Sequence, residues 1–203
     1  MTVTAISVGP LHTNCYVVSK NNVGVVIDPG FEEWKIQEHI QGIDIQYIFL
    51  THGHYDHFAA AKGIAEKTGA KIVISEVDRP FLDDVELNLI CWNMSLVKKQ
   101  ISADITVKDG DTLTVGDMNF KFMLTPGHTP GSMCIYIDNL MFSGDTLFCG
   151  TVGRTDLPGG SMEQMMNSLQ NIIKPIQKDY IVYPGHLDST TLFYEKENNP
   201  YLR

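Results

Sequence analysis

Short apolar runs, most of them closed by Gly, Pro, Asn or Asp, follow one another along the whole chain. Their alternation and β-branched content predict strands near 2–8, 14–19, 23–28, 45–50, 71–75, 104–107, 112–115, 118–124, 133–137, 140–144 and 180–183. Helical patterning predicts helices near 31–41, 57–68 and 161–173, a last helix from about 189, and helical segments between 76 and 97. Ser161 with Gln164 has the form of a capping box, and Pro175 would stop the helix it opens. Two sheets flanked by helices would bury these strands on both sides. The order of elements does not by itself choose the topology.

Composition narrows the picture. The 203 residues suffice for a sizeable core, and no stretch reads as linker, repeat or low-complexity tract, so a single domain over 1–203 is expected. The 24 acidic residues against 15 basic ones give a net charge of -9, which disfavours a nucleic-acid partner. Cys15, Cys91, Cys134 and Cys149 are scattered without Cys-x-x-Cys spacing and read as small buried hydrophobes in a reducing cytosol. Met1 to Val8 alternates like a strand and not like an export signal, and no apolar run approaches a membrane span. The expected location is cytoplasmic, with no membrane partner.

The chemistry concentrates at strand ends. Five of the seven histidines lie in three patches, the richest being Thr51-His52-Gly53-His54-Tyr55-Asp56-His57 directly after the apolar run 45–50. Three imidazoles and a carboxylate so close together are unfavourable unless a cation sits among them. In extended backbone His52 and His54 share a face and can grip one ion, while Asp56 and His57, at the start of the next helix, are displaced towards a second. Thr125-Pro126-Gly127-His128-Thr129-Pro130-Gly131 and Tyr183-Pro184-Gly185-His186 repeat a strand, a Pro-Gly turn and a histidine. Ser143-Gly144-Asp145 ends another apolar strand with a carboxylate. His12 and His39 belong to no such motif. Tyr55 and Tyr183 read as aromatic packing near the site, and Cys149 as a buried or supporting residue.

His52-x-His54-x-Asp56-His57, then His128, Asp145 and His186, resembles the dinuclear signature of the metallo-β-lactamase fold superfamily. The segment from Ser143 to Gly160, SGDTLFCGTVGRTDLPGG, and the ending Asn199-Pro200-Tyr201-Leu202-Arg203 resemble its short glyoxalase II-like branch, which hydrolyses thioesters such as hydroxyacylglutathione. The resemblance implies an α/β fold, a four-layer αββα sandwich. It implies His52, His54 and His128 on one metal, Asp56, His57 and His186 on the other, and Asp145 bridging them. Two such cations lower the pKa of a shared water towards neutrality, giving a hydroxide that attacks the thioester carbonyl. Asp56 would also orient that nucleophile. Zinc is the first expectation for both ions, with iron or manganese also suited to these donors. Arg154 in Gly153-Arg154-Thr155-Asp156 is the candidate for an anionic substrate group, although Asp156 offers it a structural partner instead.

The chain departs from full-length glyoxalase II in two places. It ends shortly after the last predicted helix, without that enzyme's helical extension, and Thr151-Val152-Gly153-Arg154 stands where a lysine-and-tyrosine segment grips glutathione. The small-molecule substrate is therefore an acyl thioester of the S-lactoylglutathione type or another acyl thioester. Competing readings are a persulfide dioxygenase of the same fold, with one iron on two histidines and an aspartate, a lactonase or other esterase, and a metal-binding protein without catalysis. Flavodiiron proteins usually carry Glu where this chain has His54, and the acidic balance weighs against the nuclease members.

Overall fold

The computed structural model describes residues 1–91 and 101–203. The chain first lays down β1 (Thr2–Val8), β2 (Thr13–Lys20) and β3 (Val23–Ile27), an antiparallel meander. It then crosses through α1 (Glu33–His39) to β4 (Asp44–Phe49), and through α2 (Tyr55–Phe58) and α3 (Ala61–Thr68) to β5 (Lys71–Ser75). With β6 (Ile105–Val107) these complete a six-stranded sheet in sequence order, parallel from β3 onward. Parallel neighbours cannot be joined by tight turns, which is why the helices fall in this part of the chain.

The second half supplies β7 (Thr112–Val115), β8 (Met118–Leu124), β9 (Met133–Ile137) and β10 (Leu140–Gly144), then a small hairpin of β11 (Leu147–Phe148) and β12 (Thr151–Val152). α4 (Met162–Asn167) leads to β13 (Ile181–Pro184), β14 (Thr190–Thr191) and α5 (Leu192–Asn198). The second sheet has the order β14-β13-β10-β9-β8-β7.

Alternate residues of the central strands belong to different cores, as period-two geometry demands. Val18, Val25, Ile27 and Phe49 of the first sheet meet Phe120, Phe122, Ile135 and Phe142 of the second. Phe49 sets its ring edge-on to Phe120 and Phe122, with centroids 5.1 Å away in each pair. Val17, Val26, Ile48 and Ile74 face the other way, onto Ile36 of α1 and Ile64 of α3. Cys134, Met141 and Val182 likewise pack under Met165, Leu169 and Leu192. The layers are thus helix, sheet, sheet, helix, the αββα sandwich that the sequence resemblance implied.

Several expected elements change form for tertiary reasons. The helix expected over 57–68 is split, because the Ala60 N–H donates to the Pro29 carbonyl (3.0 Å) instead of continuing the α2 ladder. The one expected over 161–173 starts as foreseen, with the Ser161 hydroxyl accepting from the Gln164 N–H (3.2 Å), but widens into a π-helical turn over Ser168–Ile173. There the Ser168 hydroxyl donates to the Pro126 carbonyl (2.7 Å), tying the wide turn to the loop that carries His128. Of the helical segments expected between 76 and 97, the described residues show a 3-10 turn, Arg79–Leu82, and 3-10 geometry at residues 90 and 91; the part over 92–97 lies outside the described residues. The last helix begins at Leu192 and not near 189, because Thr190 and Thr191 pair with β13 as a strand. Cys15 and Cys134 are buried as expected, whereas Cys91 and Cys149 are exposed, which corrects the reading of all four as buried. No helix among the described residues is long and apolar enough to cross a membrane.

Candidate metal centre

The polar patches leave the carboxyl ends of their strands at one rim of the sandwich. His52 and His54 follow β4, and Asp56 and His57 ride on the short α2; His128 sits in the turn between β8 and β9. Asp145 follows β10 and His186 follows β13. All seven converge. Ligand atoms of His52, His54 and His128 lie within 4.8 Å of one another, as do those of Asp56, His57 and His186, and those of His52, His57 and Asp145. Asp145 touches both sets: its carboxylate oxygens are 3.3 Å from His128 Nε2, 3.5 Å from His57 Nε2 and 3.6 Å from His186 Nε2. Such close approach depends on Gly185, where a Cβ would stand 2.2 Å from Asp145 Oδ1 and 2.7 Å from His57 Cε1.

Three of the rings, His57, His128 and His186, are aimed by a partner on their outer side. His128 Nδ1 donates to the Arg154 carbonyl (2.7 Å) and His186 Nδ1 to the Leu11 carbonyl (3.1 Å). Carbonyls only accept, so both rings carry a proton on Nδ1 and turn Nε2, the atom a metal would take, towards the cluster. His57 Nδ1 is held by Asp28 Oδ2 at 2.9 Å. Asp28 also accepts from the Thr51 N–H (2.8 Å) and hydroxyl (2.7 Å), which fixes the start of the His52 loop. Asp78, fully buried, joins the two histidine loops: it accepts from the Gly53 N–H (2.9 Å), the Thr129 hydroxyl (2.6 Å) and the Gly131 N–H (2.7 Å).

The electrostatics separate the rings into two kinds. Burial, then the neighbouring His57 and His128, push His52 well below the ordinary histidine value; burial and His128 do the same to His54. Burial also works against charge on His57, yet Asp56, Asp145 and Asp28 together raise it well above that value. For Asp56, burial opposes ionisation, but the charge of His57 and hydrogen bonds from His186 and His57 hold the carboxyl well below the usual range. Carboxylates here demand positive charge, and neutral imidazoles stand beside them. His52 Nε2, His54 Nε2 and Asp145 Oδ1 are buried without a hydrogen-bond partner. Stranding such atoms costs roughly 1–3 kcal/mol each, and neutral nitrogen with carboxylate oxygen is the donor set divalent ions of the zinc, iron and manganese kind accept. The residues fit that cofactor class.

A cavity of about 670 Å³ opens beside the cluster, reaching His54, Asp56, His128, Asp145 and His186. Arg154 lines it, but its fork is engaged by Asp156, Nε to Oδ1 at 2.7 Å and Nη2 to Oδ2 at 2.8 Å. Tyr55 also reaches the cavity while packing edge-on against Phe31, and Tyr183 lies between the sheets against Phe142. His39 bonds its own helix at the Lys35 carbonyl (2.9 Å) and takes no part in the cluster. Asp28, Thr51 and Asp78 carry supporting roles that the sequence did not disclose. A lone aspartate at the end of β3 was the one available signal.

The family model for the metallo-beta-lactamase superfamily matches residues 8–186. Among curated relatives, the probable metallo-hydrolase YqgX of Bacillus subtilis is 32% identical over 96% of this chain and 94% of its own. The hydroxyacylglutathione hydrolase GloC of Haemophilus influenzae is 30% identical over 100% and 98%. Among solved structures, BLEG-1 B3 metallo-beta-lactamase superposes with a TM-score of 0.93 at 31% identity, covering 99% of both chains. TTHA1623 in a di-iron-bound form gives a TM-score of 0.86 at 33% identity, covering 98% and 100%. With a match over most of its length and a His/Asp cluster at the expected rim, the chain belongs to the metallo-beta-lactamase superfamily, as a metallo-hydrolase of that fold.

Proposed function

We propose that this protein hydrolyses acyl thioesters with the help of two divalent cations, zinc being the first candidate and iron or manganese the others. The observation that carries the reading is the convergence of seven donors in two sets sharing Asp145, with buried nitrogens of His52 and His54 left unpartnered. His52, His54 and His128 would hold one ion, Asp56, His57 and His186 the second, with Asp145 between them. Bound there, the ions supply a hydroxide at neutral pH and electrophilic help to the carbonyl oxygen.

The remaining work falls to the chain. Asp56 is kept ionised and steadied by the Thr13 hydroxyl, which donates to its Oδ2 at 2.9 Å. It can orient the attacking oxygen. The cavity, lined by Asp56 and Asp145, would receive the carbonyl beside them. A thiolate leaves without a general acid, and no side chain is assigned that role. The similarity to GloC supports a thioester over other carbonyl substrates, and a second complete donor set favours two ions over one.

The test is metal analysis of the purified protein together with hydrolysis of S-lactoylglutathione and simple acyl thioesters. Two ions per chain with thioester cleavage are expected. One iron per chain with oxygen consumption on glutathione persulfide would replace this reading by a dioxygenase. Faster cleavage of a lactone or a β-lactam run in parallel would replace it by another hydrolase.

A further inference from the structure

Next to the donor cluster, the cavity wall is apolar: Leu11, Phe31, Leu89, Phe148, Leu157 and Leu187 face it. Two of these leucines are held in a backbone conformation that bulky L-residues rarely adopt, with φ +67° at both Leu89 and Leu187. Asn or Gly would occupy such positions with far less strain. Packing does not explain the choice at the rim, since Leu187 is 57% and Leu11 62% exposed. An exposed leucine on strained backbone gains little from the fold itself. Strain of this kind gathers where a side chain is held ready for a ligand.

These leucines are joined to the reacting centre. The Leu11 carbonyl accepts from His186 Nδ1 at 3.1 Å, and Leu187 follows His186 directly, so the apolar rim starts at the cluster. The Leu187 carbonyl in turn accepts from Asn14 Nδ2 at 2.8 Å, which fixes the rim loop to the first sheet. The guanidinium that could have drawn a carboxylate into the cavity is turned to Asp156.

We propose that the substrate carries an uncharged apolar arm, alkyl or aryl, that lies on Leu11, Leu89 and Leu187, in place of a charged peptide such as glutathione. This rests on the hydrolase reading above and sharpens its substrate class. The arm belongs either to the acyl group or to the thiol, and the two sources separate experimentally.

The metal-loaded protein is assayed on acetyl, butanoyl, hexanoyl and octanoyl thioesters of N-acetylcysteamine, on acetyl thioesters of ethanethiol, butanethiol and hexanethiol, and on S-lactoylglutathione. In one series kcat/KM should rise about fourfold per methylene, the effect of burying hydrocarbon. That series identifies the arm. A flat response in both, or S-lactoylglutathione preferred over every member, overturns the proposal. Leu187→Asn should flatten the rising series while Tm stays level or increases, because Asn tolerates the left-handed backbone. A fall in Tm with the slope intact would assign Leu187 to packing and overturn its role.

Calorimetry with S-octyl-N-acetylcysteamine, a thioether that cannot be hydrolysed, keeps the two readings apart. If no thioester is cleaved but this ligand binds at least tenfold more tightly than its S-ethyl counterpart, the apolar site stands and the hydrolase reading falls. Equal affinities sink the apolar site whatever the activity.

Discussion

Asp78 is the most informative place to perturb, because one buried carboxylate holds together loops that are far apart in sequence. Its Oδ2 accepts from Gly53 N–H and Thr129 Oγ1, and its Oδ1 from Gly131 N–H, at 2.9, 2.6 and 2.7 Å. Gly53 lies between His52 and His54; Thr129 follows His128. Asp78→Ala leaves the two buried backbone N–H groups of Gly53 and Gly131 without an acceptor and should cost roughly 2–6 kcal/mol. Against a total stability of about 5–15 kcal/mol, that variant stands near the edge of folding. Asp78→Asn is the sharper probe. It keeps one acceptor oxygen, the Thr129 hydroxyl can turn to donate to Ser132 Oγ at 2.7 Å, and one backbone N–H remains unpaired. Urea denaturation of the metal-free protein should show a loss of about 2 kcal/mol. Chelator competition should show metal affinity lowered roughly 10–100-fold, since the two histidine loops are no longer locked to each other. Wild-type stability with wild-type affinity would refute the latch; lost stability with full affinity would reduce Asp78 to a packing residue.

Other outcomes follow from the same geometry. Burial, more than the hydrogen bonds from Thr129, Gly53 and Gly131, raises the Asp78 carboxyl above its ordinary value. The fold therefore binds this proton more tightly than the unfolded chain, and the group's contribution is full below about pH 4 and lost as pH climbs through the folded value. The stability gap between wild type and Asp78→Asn should narrow from acid to neutral pH, and urea titrations showing it widen would contradict burial as the dominant cause. Asp145→Ala should abolish binding of both metals and hydrolysis together; a variant with two tightly held ions and full activity contradicts the bridging position. Arg154→Ala should change KM by similar factors for a carboxylated thioester and a neutral one, because its fork is spent on Asp156, and a selective rise for the carboxylated substrate would assign it to recognition. Gly185→Ala should lower metal content measured by elemental analysis, since its methyl group occupies space used by Asp145 and His57.

What could be read from the chain was what is local. Histidines dense over a few positions after an apolar run announce a cation site without any knowledge of tertiary contacts, and alternating valines and phenylalanines announce strands buried on both faces. Tertiary partners were invisible. Asp28 and Asp78 are single acids whose roles come from Thr51, Gly53, Thr129 and Gly131, more than twenty residues away in every case. The break after α2 comes from a hydrogen bond to Pro29, and the π turn accompanies one to Pro126. Leu89 and Leu187 carry no turn signal at all, so their left-handed backbone could not be anticipated. The hairpin of β11 and β12 is too short for alternation to register.

The donor cluster straddles the seam of the sandwich: His52, His54, Asp56 and His57 come from the first sheet, and His128, Asp145 and His186 from the second. Below the rim the halves adhere through aromatic and aliphatic contacts that need no cofactor. At the rim they meet through groups that repel or strand one another until a cation arrives. Metal loading should therefore act as a rivet at one edge, slowing amide hydrogen exchange in the loops around residues 52–57, 127–131 and 184–187 while leaving β4 and β9 as slow as before. Cofactor acquisition becomes a finishing step on a body already assembled, and starvation for metal would leave the protein standing but with its mouth unfastened.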